Sequence, residues 1–264
     1  MSKHSIVFLM YHELALPGRP ICQDEPGYVR YVLSQDEFRN QIDFLKKHGW
    51  NALSVTQALA FPEGQCVCIT FDDGCETDLL AAAPILGQAG YTATFFVTTG
   101  RLGCAGYLSQ RQVRELSALG FEIGCHSMTH AYLSDLNDEG LEREICQAKL
   151  QLEQILGRTV EHFSCPGGRY NDRVLLVARR AGYRSVSTSR LQANSAITDP
   201  FALGRVAILR NILLSDFGAI CGGTSLTHLR VQMAVRDLAK RFLGNSVYDR
   251  LRARILRSVP RRNM

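Results

Sequence analysis

Two adjacent carboxylates, Asp72 and Asp73, end the apolar run Cys66-Val67-Cys68-Ile69-Thr70-Phe71 and are followed by Gly74. Such a run reads as a buried strand, and a glycine just past it permits a sharp turn into a loop. Neighbouring side chains leave a strand in different directions, so one carboxylate can bind a metal while the other faces an attacking water. Further along stand His126 and His130, in His126-Ser127-Met128-Thr129-His130. A spacing of four brings both imidazoles to one side of a helical turn or tight loop, within reach of one ion. With Asp73 they make a two-histidine, one-carboxylate set with positions left open for water and substrate. That donor set suits zinc or another first-row divalent ion, cobalt and nickel included. Each motif alone has a plainer reading: Asp-Asp-Gly as a turn, the histidines as a solvated or core pair. Their combination argues for chemistry, because Phe121-Glu122-Ile123-Gly124, just before Cys125-His126, reads as a second short strand. Both motifs then fall on one rim of an α/β barrel, where such folds keep their chemistry.

The elements that must carry these residues alternate between strand and helix. Ile6 to Met10 reads as a first buried strand ending at Tyr11-His12-Glu13, followed to about Tyr31 by a loop over the barrel mouth. Ser34 begins a helix with a capping box completed by Glu37, and Phe38, Ile42 and Leu45 form its inner face. Further strands are expected at 52–55, 66–71, 93–97, 121–124, 162–165 and 203–209. Helices are expected over 77–87, from Ser109 to Leu119 and over 138–156, and one more helix and strand within 173–188. This alternation predicts an α/β fold, a barrel of parallel strands.

With 46% hydrophobic residues and no low-complexity run, 264 residues fit one large domain with a substantial core. The apolar stretch after Met1-Ser2-Lys3-His4-Ser5 is too short for a secretory signal, and no stretch approaches the roughly twenty apolar residues of a membrane span. The expected location is the cytoplasm. The nine cysteines are an odd number, and Cys66 and Cys68 fall on a strand, so reduced thiols are expected. The net charge of +5 is uneven: from Arg230 onward ten Lys/Arg stand against two Asp, a tail of +8 on a body of −3.

Thr70-Phe71-Asp72-Asp73-Gly74, Ala93-Thr94-Phe95-Phe96-Val97, His126-Ser127-Met128-Thr129-His130 and Phe163-Ser164-Cys165-Pro166-Gly167-Gly168 together resemble the polysaccharide deacetylases, the NodB-like carbohydrate esterases of family four. The resemblance covers about residues 5–210. It implies a distorted, incomplete (β/α) barrel of about seven strands and metal-dependent removal of acetyl groups from N-acetylated sugars. Carried over residue by residue, it makes Asp72 the base, Asp73, His126 and His130 the metal ligands, and the Gly167 amide a donor to the oxyanion. Two departures stand out. Many relatives have an arginine where this chain has Ser164; Arg169 could supply that charge from the other side of the loop, or lie solvated. The late Leu-x-His of many relatives reads Ile208-Leu209-Arg210 here, which leaves protonation of the departing amine without an owner. His12 is the candidate for that step, and its Tyr-His context resembles the relatives that act on exopolysaccharide poly-N-acetylglucosamine; the plain alternative is a packing histidine.

Residues 1–228 are therefore expected to form the catalytic barrel and 229–264 a basic helical tail. Apolar residues at near-helical spacing, with arginines between them over 229–262, suit either an anchor on anionic lipid or a terminal helix packed on the barrel. Nucleic acid is not an expected partner, because no recognition module or stacking aromatic set accompanies the charge. A membrane-bound tail would place the protein at the inner face of the membrane, beside a lipid-linked or nascent N-acetylated glycan. The competing readings are a hydrolase of a small cyclic amide or ureide, and a non-catalytic glycan-binding or scaffold protein.

Overall fold

The computed structural model describes residues 5–224 and Leu226. The expected tail from 229 lies outside the described residues. Strands run in chain order as β1 (Ser5–Tyr11), β2 (Leu14–Ala15), β3 (Leu33–Ser34), β4 (Asn51–Leu53), β5 (Cys66–Phe71), β6 (Thr94–Val97), β7 (Glu122–Cys125), β8 (His162–Ser164), β9 (Ser185–Ser187), β10 (Asn194–Ser195) and β11 (Val206–Ala207). Seven parallel strands, β11-β1-β5-β6-β7-β8-β9, form a curled sheet. β4 pairs with the start of β5, and β10 runs antiparallel along the start of β1. β2 and β3 pair separately, beyond the end of β1.

The expected strand over 203–209 is shorter than its apolar content suggests, because its residues change partners. Leu203 bridges Ser187 at the end of β9, whereas Val206 and Ala207 pair with Leu9 and Met10 of β1. Thus 203–207 spans the gap between the first and last strands of the distorted barrel. Gly204 lies at the crossing: a Cβ there would come within 2.2 Å of Gln192 Cγ and 2.7 Å of the Arg190 carbonyl oxygen.

The two-residue period of the strands sorts their side chains into two layers. On β5, Val67, Ile69 and Phe71 join the large outer core with Phe38, Ile42 and Leu45 of the helix Gln35–Lys47. Cys66 and Cys68 face the other way and pack with Ile6, Phe8, Phe96 and Leu203 inside the barrel. Continuing this inward series brings Thr70 and then Asp72 to the barrel mouth. The same alternation on β1, β7 and β8 directs His12, His126 and Ser164 toward the mouth. Lower in the barrel, His162 bonds Ser185 Oγ through Nδ1 (2.8 Å) and Thr56 Oγ1 through Nε2 (2.8 Å), so it belongs to a buried polar layer remote from the rim.

The helices end as local chemistry dictates. Ser34 caps Gln35–Lys47 by accepting from the Glu37 amide while Glu37 accepts from the Ser34 amide. Ser109 and Gln112 repeat this capping box for Gln110–Ala118. Two helices expected to be regular contain π turns, at Asp78–Ala82 and Glu142–Gln147. Among the described residues, no helix is long and apolar enough to cross a membrane.

Candidate active site

Asp73, His126 and His130 converge at the mouth, with one ligand atom from each lying within 4.8 Å of the others. Asp73 Oδ1 is 3.3 Å from His130 Nε2 and 3.7 Å from His126 Nε2. Backbone geometry makes this possible. Asp73 adopts φ 81° and Gly74 φ 75°, where a Cβ on Gly74 would press within 3.1 Å of Val97. The turn therefore folds tightly against β6 and directs Asp73 to the side of Asp72 instead of into the outer core.

The histidines share a tight loop, with Ser127 and His130 both at φ 65°. Glu144, buried in the Glu142–Gln147 π turn, accepts from the amides of Met128 (3.0 Å) and Thr129 (2.8 Å) and from Thr129 Oγ1 (2.7 Å). Ser127 Oγ accepts from the His130 amide at 3.0 Å. These bonds replace the backbone ladder that a helix would have supplied. A π turn at a functional site is a recurrent device, because it rotates a side chain out of helical phase.

His126 Nδ1 lies 2.9 Å from the Ser164 carbonyl oxygen. A carbonyl can only accept, so Nδ1 carries the proton and the Nε2 lone pair faces Asp73. Burial lowers the pKa of His126 to about 3 and that of His130 to about 4, so both imidazoles are neutral at neutral pH. Asp73 Oδ1 is buried and accepts no hydrogen bond. This anionic oxygen, 3.7 Å from Arg101 Nη1 and facing two neutral imidazole nitrogens, fits a divalent cation, which the same three residues would hold.

Asp72 is organised differently. It is 3% exposed and receives a forked pair from Arg205: Nη1 to Oδ1 at 2.7 Å and Nη2 to Oδ2 at 2.8 Å. Arg205, itself 1% exposed, also donates to Ser164 Oγ (2.7 Å), Thr70 Oγ1 (3.2 Å) and the Thr188 carbonyl (3.1 Å). Asn194 holds the adjoining Gly204 through two reciprocal 2.8 Å bonds, one to its carbonyl and one from its amide. Burial alone would raise the Asp72 pKa, but the charge of Arg205 and its neighbour His126 override burial and hold it well below the usual carboxylate range. Asp72 is thus kept ionised and fixed in orientation, with Oδ2 3.9 Å from His126 Nε2.

The charge beside Asp72 therefore comes from Arg205 and not from Arg169. The Arg169 guanidinium lies over the Tyr132 ring, 4.0 Å from its centroid. Gly167 is exposed at φ 60° and packs under the same tyrosine, so close that a Cβ would meet Tyr132 Cε1 at 2.8 Å. Its peptide follows the Ser164-Cys165-Pro166 turn whose Ser164 carbonyl holds His126. The His12 ring lies tilted against Tyr31, centroids 4.7 Å apart, and its buried Nδ1 has no hydrogen-bond partner. Burial lowers its pKa, against the opposing charges of Asp73 and Asp72. Arg205 and Glu144 were not among the residues singled out from sequence. The signal for Arg205 was an arginine inside a segment read as buried strand, since a buried guanidinium requires an anion.

A barrel-mouth site with one pinned carboxylate beside a His₂Asp set that could hold a metal ion is an arrangement suited to hydrolysis. The chain is similar to the polysaccharide deacetylases, whose family model matches residues 61–186. It is 37% identical over 121 residues to the peptidoglycan-N-acetylglucosamine deacetylase of Bacillus cereus, covering 46% of this chain and 54% of that protein. It is 25% identical over 198 residues to the poly-beta-1,6-N-acetyl-D-glucosamine N-deacetylase of Staphylococcus aureus, covering 67% of this chain and 68% of that protein. Among solved structures it resembles the Streptococcus pyogenes deacetylase PplD in complex with acetate. The TM-score is 0.73 and the identity 27%, over 80% of this chain and 96% of that one.

Proposed function

We propose that this protein hydrolyses the amide of N-acetylated hexosamine residues in a glycan, releasing acetate and leaving a free amine. The observation that carries this reading is Asp72 locked by the Arg205 fork beside Asp73, His126 and His130. When bound by those three residues, a divalent ion, zinc in our reading, would supply Lewis-acid polarisation of the acetyl carbonyl and acidify a water. Asp72 accepts the proton of the attacking water, a role suited to a carboxylate kept ionised and aimed. As the carbonyl carbon becomes tetrahedral, negative charge develops on its oxygen, and the exposed Gly167 amide is the donor we assign to it. The carbon–nitrogen bond then breaks and the nitrogen takes a proton, for which His12 is the candidate relay from the Asp72 side.

For the acceptor we propose a polymer of N-acetylglucosamine, on the strength of the two curated relatives, whose names both specify that sugar. A lipid-linked chain at an anionic membrane surface is the finer reading, supported by the basic composition of the tail. The discriminating experiment measures acetate release from β-1,6-linked and β-1,4-linked N-acetylglucosamine oligomers, a lipid-linked N-acetylhexosamine and a cyclic ureide. Release from any of the acetylated glycans supports the proposal, and the preferred linkage or lipid assigns the acceptor. Turnover of the ureide alone would overturn it.

A further inference from the structure

Beside the catalytic set lies a second cluster, with Cys22 and Cys75 sulfurs 3.5 Å apart. The two residues are 53 apart in sequence. Cys22 belongs to the loop over the mouth, and Cys75 follows Gly74 directly, two residues beyond Asp73. The contact is built from several sides. Both Glu13 carboxylate oxygens accept from the Cys22 amide (3.1 and 3.0 Å), and Tyr28 donates its hydroxyl to Glu13 at 2.9 Å while touching Cys75 Sγ at 3.4 Å. The Cys22 thiol donates to the Gly106 carbonyl at 3.1 Å. Gly106 leaves room for it, since a Cβ there would come within 2.9 Å of the sulfur.

Glu13, Cys22 and Cys75 also satisfy the spacing of a metal cluster. Their hydrogen bonds argue against that use: the Glu13 oxygens already have amide and hydroxyl donors, and the Cys22 thiol has an acceptor. What remains without a stronger partner is the sulfur–sulfur contact. Cys75 is fully buried and Cys22 half-buried, so an oxidant meets Cys22 first.

We propose that Cys22 and Cys75 are an oxidative modification site, closing to a disulfide that ties the mouth loop to the turn carrying Asp73. The oxidant is a hydroperoxide. The Cys22 sulfur attacks one peroxide oxygen and the O–O bond breaks, leaving a sulfenic acid and, for hydrogen peroxide, water. The Cys75 sulfur then displaces the sulfenic oxygen, so that an S–S bond forms, the S–O bond breaks and a second water leaves. The two thiols supply the two electrons and two protons. Closure requires the sulfurs to approach by about 1.5 Å, a movement within reach of a loop residue.

The test treats the full-length protein with hydrogen peroxide, blocks remaining thiols with N-ethylmaleimide, digests without reduction and maps the peptides by mass spectrometry. A Cys22–Cys75 linked pair, two hydrogens lighter, removed by dithiothreitol and absent in Cys22→Ser, is the expected result. Recovery of the two residues as separate alkylated peptides, or as a Cys22 sulfinic acid while exposed Cys104 also oxidises, would overturn the proposal. So would a second equivalent of zinc that is lost in Cys22→Ser. These readouts do not involve deacetylation, so their failure is distinguishable from failure of the proposed activity.

Discussion

Replacing Arg205 with methionine removes the fork on Asp72 while keeping a long apolar stem in the barrel. Asp72 keeps Ser164 Oγ at 3.2 Å as a donor but loses both charge-assisted bonds and the only guanidinium in contact with it among the described residues. Removing one partner of a buried ion pair costs about 3–5 kcal/mol, because the other charge is left uncompensated. For a domain of this size that corresponds to a fall in melting temperature of roughly 6–20 °C. Part of the loss should be recovered by neutralising the carboxylate as well. Arg205→Met with Asp72→Asn is therefore expected to be more stable than Arg205→Met alone, with a coupling energy of about 2–3 kcal/mol. Arg205→Lys keeps a charge but cannot fork, and is expected to fold while kcat falls about a hundredfold, equivalent to about 3 kcal/mol of lost orientation. Chemical denaturation of the four members of the cycle, with acetate-release kinetics on Arg205→Lys, reads all of these quantities. Strict additivity in the cycle, or a cost below about 1 kcal/mol for Arg205→Met, would refute the claim that Arg205 holds Asp72 in place.

Moving the arginine back to the position it takes in many relatives offers a gain-of-function check. Ser164→Arg with Arg205→Ser is expected to recover activity over Arg205→Ser alone, because Ser164 Oγ already lies 2.7 Å from the guanidinium. Glu144→Gln leaves a donor amide facing the Met128 and Thr129 amides, and is expected to weaken zinc binding about 10–100-fold by loosening the histidine loop, measured by chelator competition. The lowered histidine pKa values, about 3 for His126 and about 4 for His130, predict that zinc affinity falls less than about threefold from pH 7.5 to 5.5. Two ordinary histidines with pKa near 6.5 would lose about a hundredfold over that range through proton competition. Any larger loss would then follow protonation of Asp73, whose pKa is raised by burial and then by the neighbouring Asp72 charge, and not of the histidines.

The parts of this site legible in the sequence are those whose signals are local. Asp72 and Asp73 stand at the end of an apolar run, and His126 at the end of another, so strand parity directs Asp72 and His126 to one rim and the glycine after Asp73 marks the turn that brings it beside them. Arg205 is different in kind. It meets Asp72 across 133 residues, and nothing near Asp72 names its partner; the only trace is a charge embedded in Leu203-Gly204-Arg205-Val206. Near the Pro166-Gly167-Gly168 loop the sequence offers Arg169 equally as that charge or as a solvated side chain, whereas the fold closes its barrel with 203–207 and brings Arg205 in from the opposite edge. Glu144 was hidden for another reason. A 3.6-residue periodicity treats 138–156 as one regular helix, and the inserted π turn at Glu142–Gln147 leaves no mark on the apolar pattern. The tight 126–130 turn was open to either reading, helical or loop, until the positive φ of Ser127 and His130 decided it.

The most direct test of the central claim pairs metal content with turnover in the same samples. Wild type, Asp72→Asn and His126→Ala are stripped with chelator, given zinc, assayed for bound metal, and then for acetate release from N-acetylglucosamine oligomers. The account predicts that wild type and Asp72→Asn each bind one equivalent in the Asp73–His126–His130 set, that only wild type releases acetate, and that His126→Ala does neither. Full turnover by Asp72→Asn, or by wild type kept free of metal, would contradict it.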